Sequence, residues 1–125
     1  MLRVLVADDN RDLADSLCLL LRREGFEVRA TYNGNDAIEV ALQFHPDVLI
    51  VDIVMPDVDG FQVANRLRGL PEFAGKVFVA LSGYSEQKIL DQASRAQFDE
   101  YLVKPFKRDT LMSILAEAAG QANRP

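Results

Sequence analysis

The sequence predicts an α/β fold, a doubly wound five-stranded parallel sheet with helices on both faces. Short β-branched runs alternate with longer stretches whose apolar residues recur at a helical period. Two of the runs, "DVLIV" and "KVFVAL", are almost continuously apolar, as expected of central strands that are covered on both faces. The chain of 125 residues has the usual length of one domain, which we expect to span residues 1–119, followed by a frayed tail at 120–125.

The predicted strands and helices follow one another in alternation. The strands are "RVLVA" (3–7), "EVRAT" (27–31), "DVLIV" (47–51), "KVFVAL" (76–81) and "EYLV" (100–103). The core faces of the five helices are Leu13, Leu17, Leu20 and Leu21; Ala37, Ile38, Ala41 and Phe44; Phe61, Val63, Ala64 and Leu67; Ile89, Leu90 and Ala93; and Leu111, Ile114, Leu115 and Ala118. Because crossovers between parallel strands are right-handed, few topologies remain.

Short polar and glycine signals predict where the helices begin and end. Residues suited to starting a helix are Asn10, Asn35 and Ser85, and the third helix follows Gly60. The first helix is expected to end at Gly25 and the second at His45-Pro46. In the loop before Gly60, Asp57 and Asp59 are interpreted as turn residues with solvated charges.

Charge and composition exclude several classes of function. The formal net charge is 14 − 19 = −5, and an acidic chain gains nothing from the counterion release that drives nucleic-acid binding. We therefore expect no direct nucleic-acid partner. The apolar runs are too short for a membrane span, and no signal peptide is recognisable. The single cysteine, Cys18, lies among leucines as a small buried residue, which suits a reducing compartment. These features predict a cytoplasmic protein without membrane contact.

Reactive side chains follow four of the predicted strands. They are Asp8 and Asp9 after the first, Asp52 after the third, Ser82 after the fourth, and Lys104, followed by Pro105, after the fifth. Ligands of open parallel sheets bind beyond the carboxyl ends of the strands, so we expect these groups to share one edge.

Such a cluster of acids favours a cation and phosphoryl chemistry. Two carboxylates ~4 Å apart repel by about 4 kcal/mol at an effective dielectric of 20, so clustered acids separate, take up protons or recruit cations. Lys104 offsets one charge. The rest suits Mg²⁺, which takes carboxylates together with a phosphate. A carboxylate beside a metal and a lysine is a plausible phosphoryl acceptor, and Ser82 is suited to hydrogen-bonding a phosphoryl oxygen.

Four pieces of the chain, "VLVADDN", "DVLIVDIVMPDVDGF", "VALSGYS" and "EYLVKPF", resemble the receiver domains of two-component response regulators in order and spacing. The likeness covers nearly the whole chain. It implies the flavodoxin-like receiver fold with strand order 2-1-3-4-5. It also implies that Asp52 accepts a phosphoryl group from a phosphohistidine on a sensor histidine kinase or histidine phosphotransfer protein. The signal would then pass to a downstream protein or to an output domain that this sequence lacks.

The resemblance also implies roles for individual residues. Mg²⁺ would be held by Asp8, Asp9, Asp52 and the backbone carbonyl of Val54. Ser82 and Lys104 would contact the phosphoryl oxygens, as the catalytic partners of Asp52. No enzymatic activity is expected beyond self-phosphorylation and slow self-dephosphorylation at Asp52.

The resemblance implies that further residues transmit the response to phosphorylation and set the lifetime of the phosphoryl group. Tyr101 would turn inward when Ser82 is drawn toward the phosphate. Val54 and Tyr84 would flank the approach of the hydrolytic water, and the bond before Pro105 would be cis.

These residues bear on three other classes of function. A haloacid-dehalogenase-like phosphatase needs a second aspartate two residues after the nucleophile, where Val54 stands. A flavodoxin-like FMN binder needs a phosphate loop after the first strand, where Asp8 and Asp9 would repel phosphate. A docking module that is not phosphorylated stays open, as does the choice between a stand-alone receiver and a piece of a larger regulator or hybrid kinase.

Overall fold

A computed structural model of the chain describes residues 2–83 and 98–122. Its strands form one parallel sheet in the order β2-β1-β3-β4-β5, which confirms the predicted fold. The strands are β1 (Arg3–Ala7), β2 (Glu27–Thr31), β3 (Val48–Asp52), β4 (Val77–Gly83) and β5 (Glu100–Lys104).

Four α-helices connect or follow these strands within the described ranges. They are α1 (Arg11–Arg23), α2 (Gly34–Phe44), α3 (Gly60–Arg68) and the C-terminal α4 (Arg108–Ala122), with a 3₁₀ turn at Pro71–Phe73. The helix predicted from Ser85 onward lies outside the described residues. The C-terminal helix continues through Gly120 to Ala122, so this part of the predicted tail is helical, and the domain boundary at residue 119 stays a prediction. None of the described helices has the length and apolar character of a bilayer span.

The sheet is covered on both faces because alternate residues of its strands enter two separate cores. In β1, Val4 and Val6 lie in the core beneath α1 and α4. Leu5 and Ala7 lie in the core beneath α2 and α3. All four side chains are fully buried, which explains why the central strands read as continuous apolar runs. Cys18 is buried in the first core, as predicted.

Side-chain caps decide where the first two helices start. Asn10 caps α1 by accepting a backbone N–H three residues later, as predicted. The prediction for α2 is wrong, because Asn33 is its N-cap and Asn35 lies within the first turn. Asn33 has the extended backbone of a cap, with φ −155° and ψ 165°. His45 ends α2 in a left-handed conformation with φ 54°.

The start of α3 corrects a second interpretation. Asp59, taken from the sequence as a solvated turn residue, is the N-cap of α3. Its carboxylate accepts the N–H of Gln62, and the Gln62 side chain accepts the N–H of Asp59, each at 2.9 Å. This reciprocal capping box anchors the loop that follows Asp52 to the helix.

Candidate functional site

The carboxyl ends of β1, β3 and β5 bring Asp8, Asp52 and Lys104 into contact. The ammonium of Lys104 lies 2.9 Å from Oδ2 of Asp8 and 3.2 Å from Oδ2 of Asp52. Asp8 is 0% exposed and Asp52 is 4% exposed. Residues 8, 52 and 104 are far apart in the sequence. The strands β1 and β3 are adjacent in the sheet, whereas β4 lies between β3 and β5, so the long side chain of Lys104 closes the remaining distance.

Asp8 is held by the backbone around it. Its N–H donates to the carbonyl of Thr31 at 3.1 Å, and its Oδ1 accepts the N–H of Asn10 at 3.0 Å. The end of β2 therefore supports the site through a carbonyl oxygen, although the sequence shows no reactive side chain there. No sequence signal identifies this contact, because every residue type carries the same carbonyl.

A third carboxylate completes the cluster. Asp8, Asp9 and Asp52 each offer one oxygen, and these oxygens lie within 4.8 Å of one another. Asp9 is exposed, so the cluster opens toward solvent on one side. The buried Oδ2 of Asp8 has the Lys104 ammonium beside it as an ion pair. A hard, oxygen-only donor set of three carboxylates that share one ammonium fits a divalent cation such as Mg²⁺.

The electrostatics of the site leave it short of positive charge. Burial and the charge of Asp8 together raise the pKa of Asp52 to about 7, and Lys104 offsets only part of their effect. Burial alone would lower the pKa of Lys104, but the two carboxylates outweigh it, so the pKa is raised and the ammonium stays charged. The pKa of Asp52 in the absence of a cation therefore lies close to neutral pH.

Ser82 and Tyr101 share one face of the sheet on neighbouring strands. Tyr101 pairs in register with Ala80, and Ser82 lies two residues farther along β4. Ser82 is fully buried, and its Oγ has no hydrogen-bond partner among the residues that the structure describes. The Tyr101 ring lies half-buried, with its centroid 6.2 Å from that of Phe98. A buried hydroxyl without a partner is suited to a ligand oxygen.

A sequence model of the response regulator receiver domain matches residues 4–116. The chain belongs to this family. It is a receiver domain of the kind found in two-component response regulators.

Sequence relatives of the receiver domain include one short protein and one longer regulator. The receiver domain is 34% identical over 102 residues to an uncharacterized 14.6 kDa protein of Leptolyngbya boryana. The aligned residues make up 82% of this chain and 78% of that protein. It is 32% identical over 114 residues to the transcriptional regulatory protein TrcR of Mycobacterium tuberculosis. That match covers 91% of this chain but only 44% of TrcR, so the chain spans less than half of this relative.

A solved structure supports the same assignment. The receiver domain is 30% identical to the response regulator TrrA of Thermotoga maritima, with a TM-score of 0.83 and coverage of 94% of this chain and 99% of TrrA. TrrA was solved in complex with Mg²⁺-BeF.

Three further predicted residues are Val54, Pro105 and Tyr84. Val54 is 49% exposed, two residues after Asp52. The bond between Lys104 and Pro105 is cis. Tyr84 lies outside the described residues.

An apolar groove adjoins the site on the side of α1. It has a volume of about 450 Å³ and is lined by Leu13, Ser16, Leu17, Leu20, Lys104, Pro105 and Phe106. Since Lys104 belongs to both groove and site, a partner in this groove would sit directly beside the carboxylates.

Proposed function

We propose that this receiver domain acts in the cytoplasm as the phosphoacceptor of a two-component phosphorelay, with Asp52 as the acceptor. Receiver domains work with histidine kinases. We take the donor to be a phosphohistidine on a sensor histidine kinase or a histidine phosphotransfer protein. The observation that carries the proposal is the position of Asp52, which is buried at the end of β3 in contact with Lys104 and close to the carboxylates of Asp8 and Asp9.

The chemical step needs an ionised Asp52. One carboxylate oxygen of Asp52 attacks the phosphorus, the bond between phosphorus and the imidazole nitrogen breaks, and its electron pair stays on that nitrogen. Lys104 already lies 3.2 Å from Asp52 and is placed to offset charge on the transferred group. The Ser82 hydroxyl is placed to donate to a phosphoryl oxygen.

We assign metal binding to the carboxylate cluster. Asp8, Asp9 and Asp52, with the backbone carbonyl of Val54, would hold Mg²⁺. Bound Mg²⁺ supplies positive charge that stabilises the phosphoryl oxygens. TrrA, solved with Mg²⁺-BeF, supports this choice of cation. The groove beside Lys104 is the surface that we assign to the histidine-bearing partner.

Asp9→Ala tests the metal site. We expect the variant to bind Mg²⁺ at least tenfold more weakly, because one of the three clustered carboxylates is lost. The fold should survive, since Asp9 is exposed and its removal relieves repulsion between like charges. Calorimetric titration with Mg²⁺ measures the change. Glu39→Ala removes an exposed acid on α2, outside the cluster, and serves as the control. Equal affinities for wild type and Asp9→Ala would contradict the assignment.

We further propose that Ser82 and Tyr101 transmit the signal. An aspartyl phosphate adds charge and strong acceptor oxygens near Ser82. Movement of Ser82 toward it would free space for the Tyr101 ring on the same face of the sheet, which would bias an existing equilibrium of the surface around β5 and α4. A downstream protein or a separate output domain would read that surface.

Ser82→Ala is expected to uncouple phosphorylation from this response. The variant should still take up a phosphoryl group, because Asp52 and Lys104 are intact, but the amide shifts on β5 and α4 should change by less than half as much as in the wild type. NMR spectra before and after phosphorylation measure the response. Glu39→Ala, which alters an exposed residue on α2 outside the site, is the control. Identical shift changes in phosphorylated Ser82→Ala and wild type would exclude the coupling.

The lifetime of the phosphoryl group is a separate part of the proposal. Val54 offers no hydrogen bond to an attacking water, so self-dephosphorylation should be slow. Val54→Asn together with Tyr84→Glu should accelerate the decay, and tenfold corresponds to about 1.4 kcal/mol of barrier. The decay of purified phosphoprotein provides the measurement, and Val54→Leu is the matched control. A double variant that decays no faster than wild type would show that other groups control the water.

A further inference from the structure

The first turn of α2 contacts the loop after Asp52 through a residue without a side chain. Gly34 is buried, and a Cβ atom placed on it would lie 2.7 Å from Cγ1 and 2.8 Å from Cβ of Val58. It would lie still closer to the carbonyl oxygen of Val58. Real Cβ atoms essentially never come within 3.0 Å of such neighbours, so any larger residue would displace the loop backbone.

Neither helix propensity nor backbone conformation explains why residue 34 is a glycine. Gly34 is the first residue of α2, and its conformation is one that any residue adopts. Glycine weakens a helix interior by about 1 kcal/mol relative to alanine. The close approach to Val58 is therefore the physical reason for glycine at this position.

The loop has little freedom to absorb a displacement of Val58. The Val58 N–H donates to the carbonyl of Pro56 at 2.8 Å, across Asp57. Asp57 has φ 67°, in the left-handed region that residues with side chains adopt only uncommonly. The next residue, Asp59, is locked into the capping box of α3. Val58 thus lies between a tight turn and a fixed helix start.

The far end of the same loop is tied to the phosphoacceptor. The N–H of Gly60 donates to the carbonyl of Ile53 at 2.9 Å. A Cβ on Gly60 would lie 2.6 Å from the carbonyl oxygen of Asp52, so the start of α3 rests directly on the end of β3. A shift at Val58 is therefore passed to the backbone at Asp52 and Ile53.

We propose that Gly34 is a positioning residue for the phosphoacceptor loop. Its missing side chain lets α2 hold Val58 in place, and the loop in turn fixes Asp52 and the Val54 carbonyl at the metal site. This inference rests on the proposed function, because it assigns the held geometry to Mg²⁺ binding. The three nearest atoms to a Cβ on Gly34 all belong to Val58, so Gly34 acts through the loop.

Gly34→Ala tests the inference, with Gly75→Ala as its matched control. A Cβ on Gly75 has no atom within 4 Å, so the control makes the same chemical change in open space. In metal-free protein, we expect the amide signals of Ile53 and Val54 to shift in Gly34→Ala and to stay in place in Gly75→Ala. Calorimetry should show the Mg²⁺ dissociation constant raised at least fivefold by Gly34→Ala and unchanged within twofold by Gly75→Ala.

The outcomes separate the two proposals. Normal Mg²⁺ binding by wild type, with Gly34→Ala matching the control in both readouts, would overturn the inference alone. A wild type that binds no Mg²⁺ would overturn the proposed function and the inference together. If Gly34→Ala does not fold, Val58→Ala weakens the same contact from the loop side, and a dissociation constant within twofold of wild type would then overturn the inference.

Discussion

Asp52→Asn is expected to abolish phosphoryl uptake by this receiver domain. With acetyl phosphate and Mg²⁺, the wild type should gain one phosphoryl group, and the variant should gain none. A neutral amide is a far weaker nucleophile than a carboxylate. The substitution also removes a charged ligand for the metal. The side chain keeps its size at a site that is 4% exposed, so the loss reports chemistry and not misfolding. Intact-protein mass spectrometry measures the added mass.

Asp57→Asn is the matched control for this experiment. It makes the same chemical change in the same loop, at an exposed residue with φ 67° that asparagine tolerates. It should be phosphorylated like the wild type. Undiminished labelling of Asp52→Asn would rule out Asp52 as the acceptor. No labelling of the wild type by either acetyl phosphate or a phosphohistidine donor would favour a docking module instead.

The second prediction with a large expected effect is the pH dependence of Mg²⁺ binding. The Mg²⁺ affinity of the wild type should be independent of pH well above 7 and should fall about tenfold per pH unit below it. The pKa of Asp52 is raised to about 7 by burial and by the charge of Asp8, so below that pH the cation must displace a proton. Calorimetric titrations from pH 5 to 8 at constant ionic strength measure the slope. A flat profile would show that Asp52 is ionised throughout and would exclude the proposed competition.

The raised pKa of Asp52 also determines whether the free energy of unfolding of the metal-free protein rises or falls with pH. The folded state keeps a proton on Asp52 up to about pH 7, whereas the unfolded chain releases it near the ordinary value of 3.8. The free energy of unfolding should therefore decrease as the pH rises between these values. Asp52→Asn lacks this slope and should be on the order of 4 kcal/mol more stable than wild type at pH 8. Urea unfolding of both proteins at pH 5 and pH 8 provides the comparison.

Much of the fold follows from local sequence patterns. The period of the apolar residues distinguishes strands from helices, because it reflects only the geometry of the backbone. The alternation of the two then predicts parallel strands, and their carboxyl ends share one edge. On this reasoning the sequence alone pointed to Asp8, Asp52 and Lys104 as neighbours. The third strand ends at Asp52, as predicted, where it pairs with Leu81 on β4, and it begins at Val48, one residue after the start of the predicted run.

Competing caps were decided by the surrounding structure. Asn33 and Asn35 are equally suited to cap α2, and the sequence offers no way to choose between them. Asp59 looks like any acid in a turn until α3 begins directly after it. In both cases the observed N-cap has an extended backbone, and its side chain accepts the N–H of the residue three positions later.

The sequence by itself determined the α/β class, the receiver family and the residue types at the strand ends. Only the tertiary structure decided how those residues are charged and held. The raised pKa of Asp52 depends on its burial and on Asp8, while the orientation of Asp8 depends on the carbonyl of Thr31. The close fit of Gly34 against Val58 likewise exists only after α2 meets the loop. Periodicity is a local property of the chain, whereas burial, charge contacts and close backbone approach arise between segments that are far apart along it.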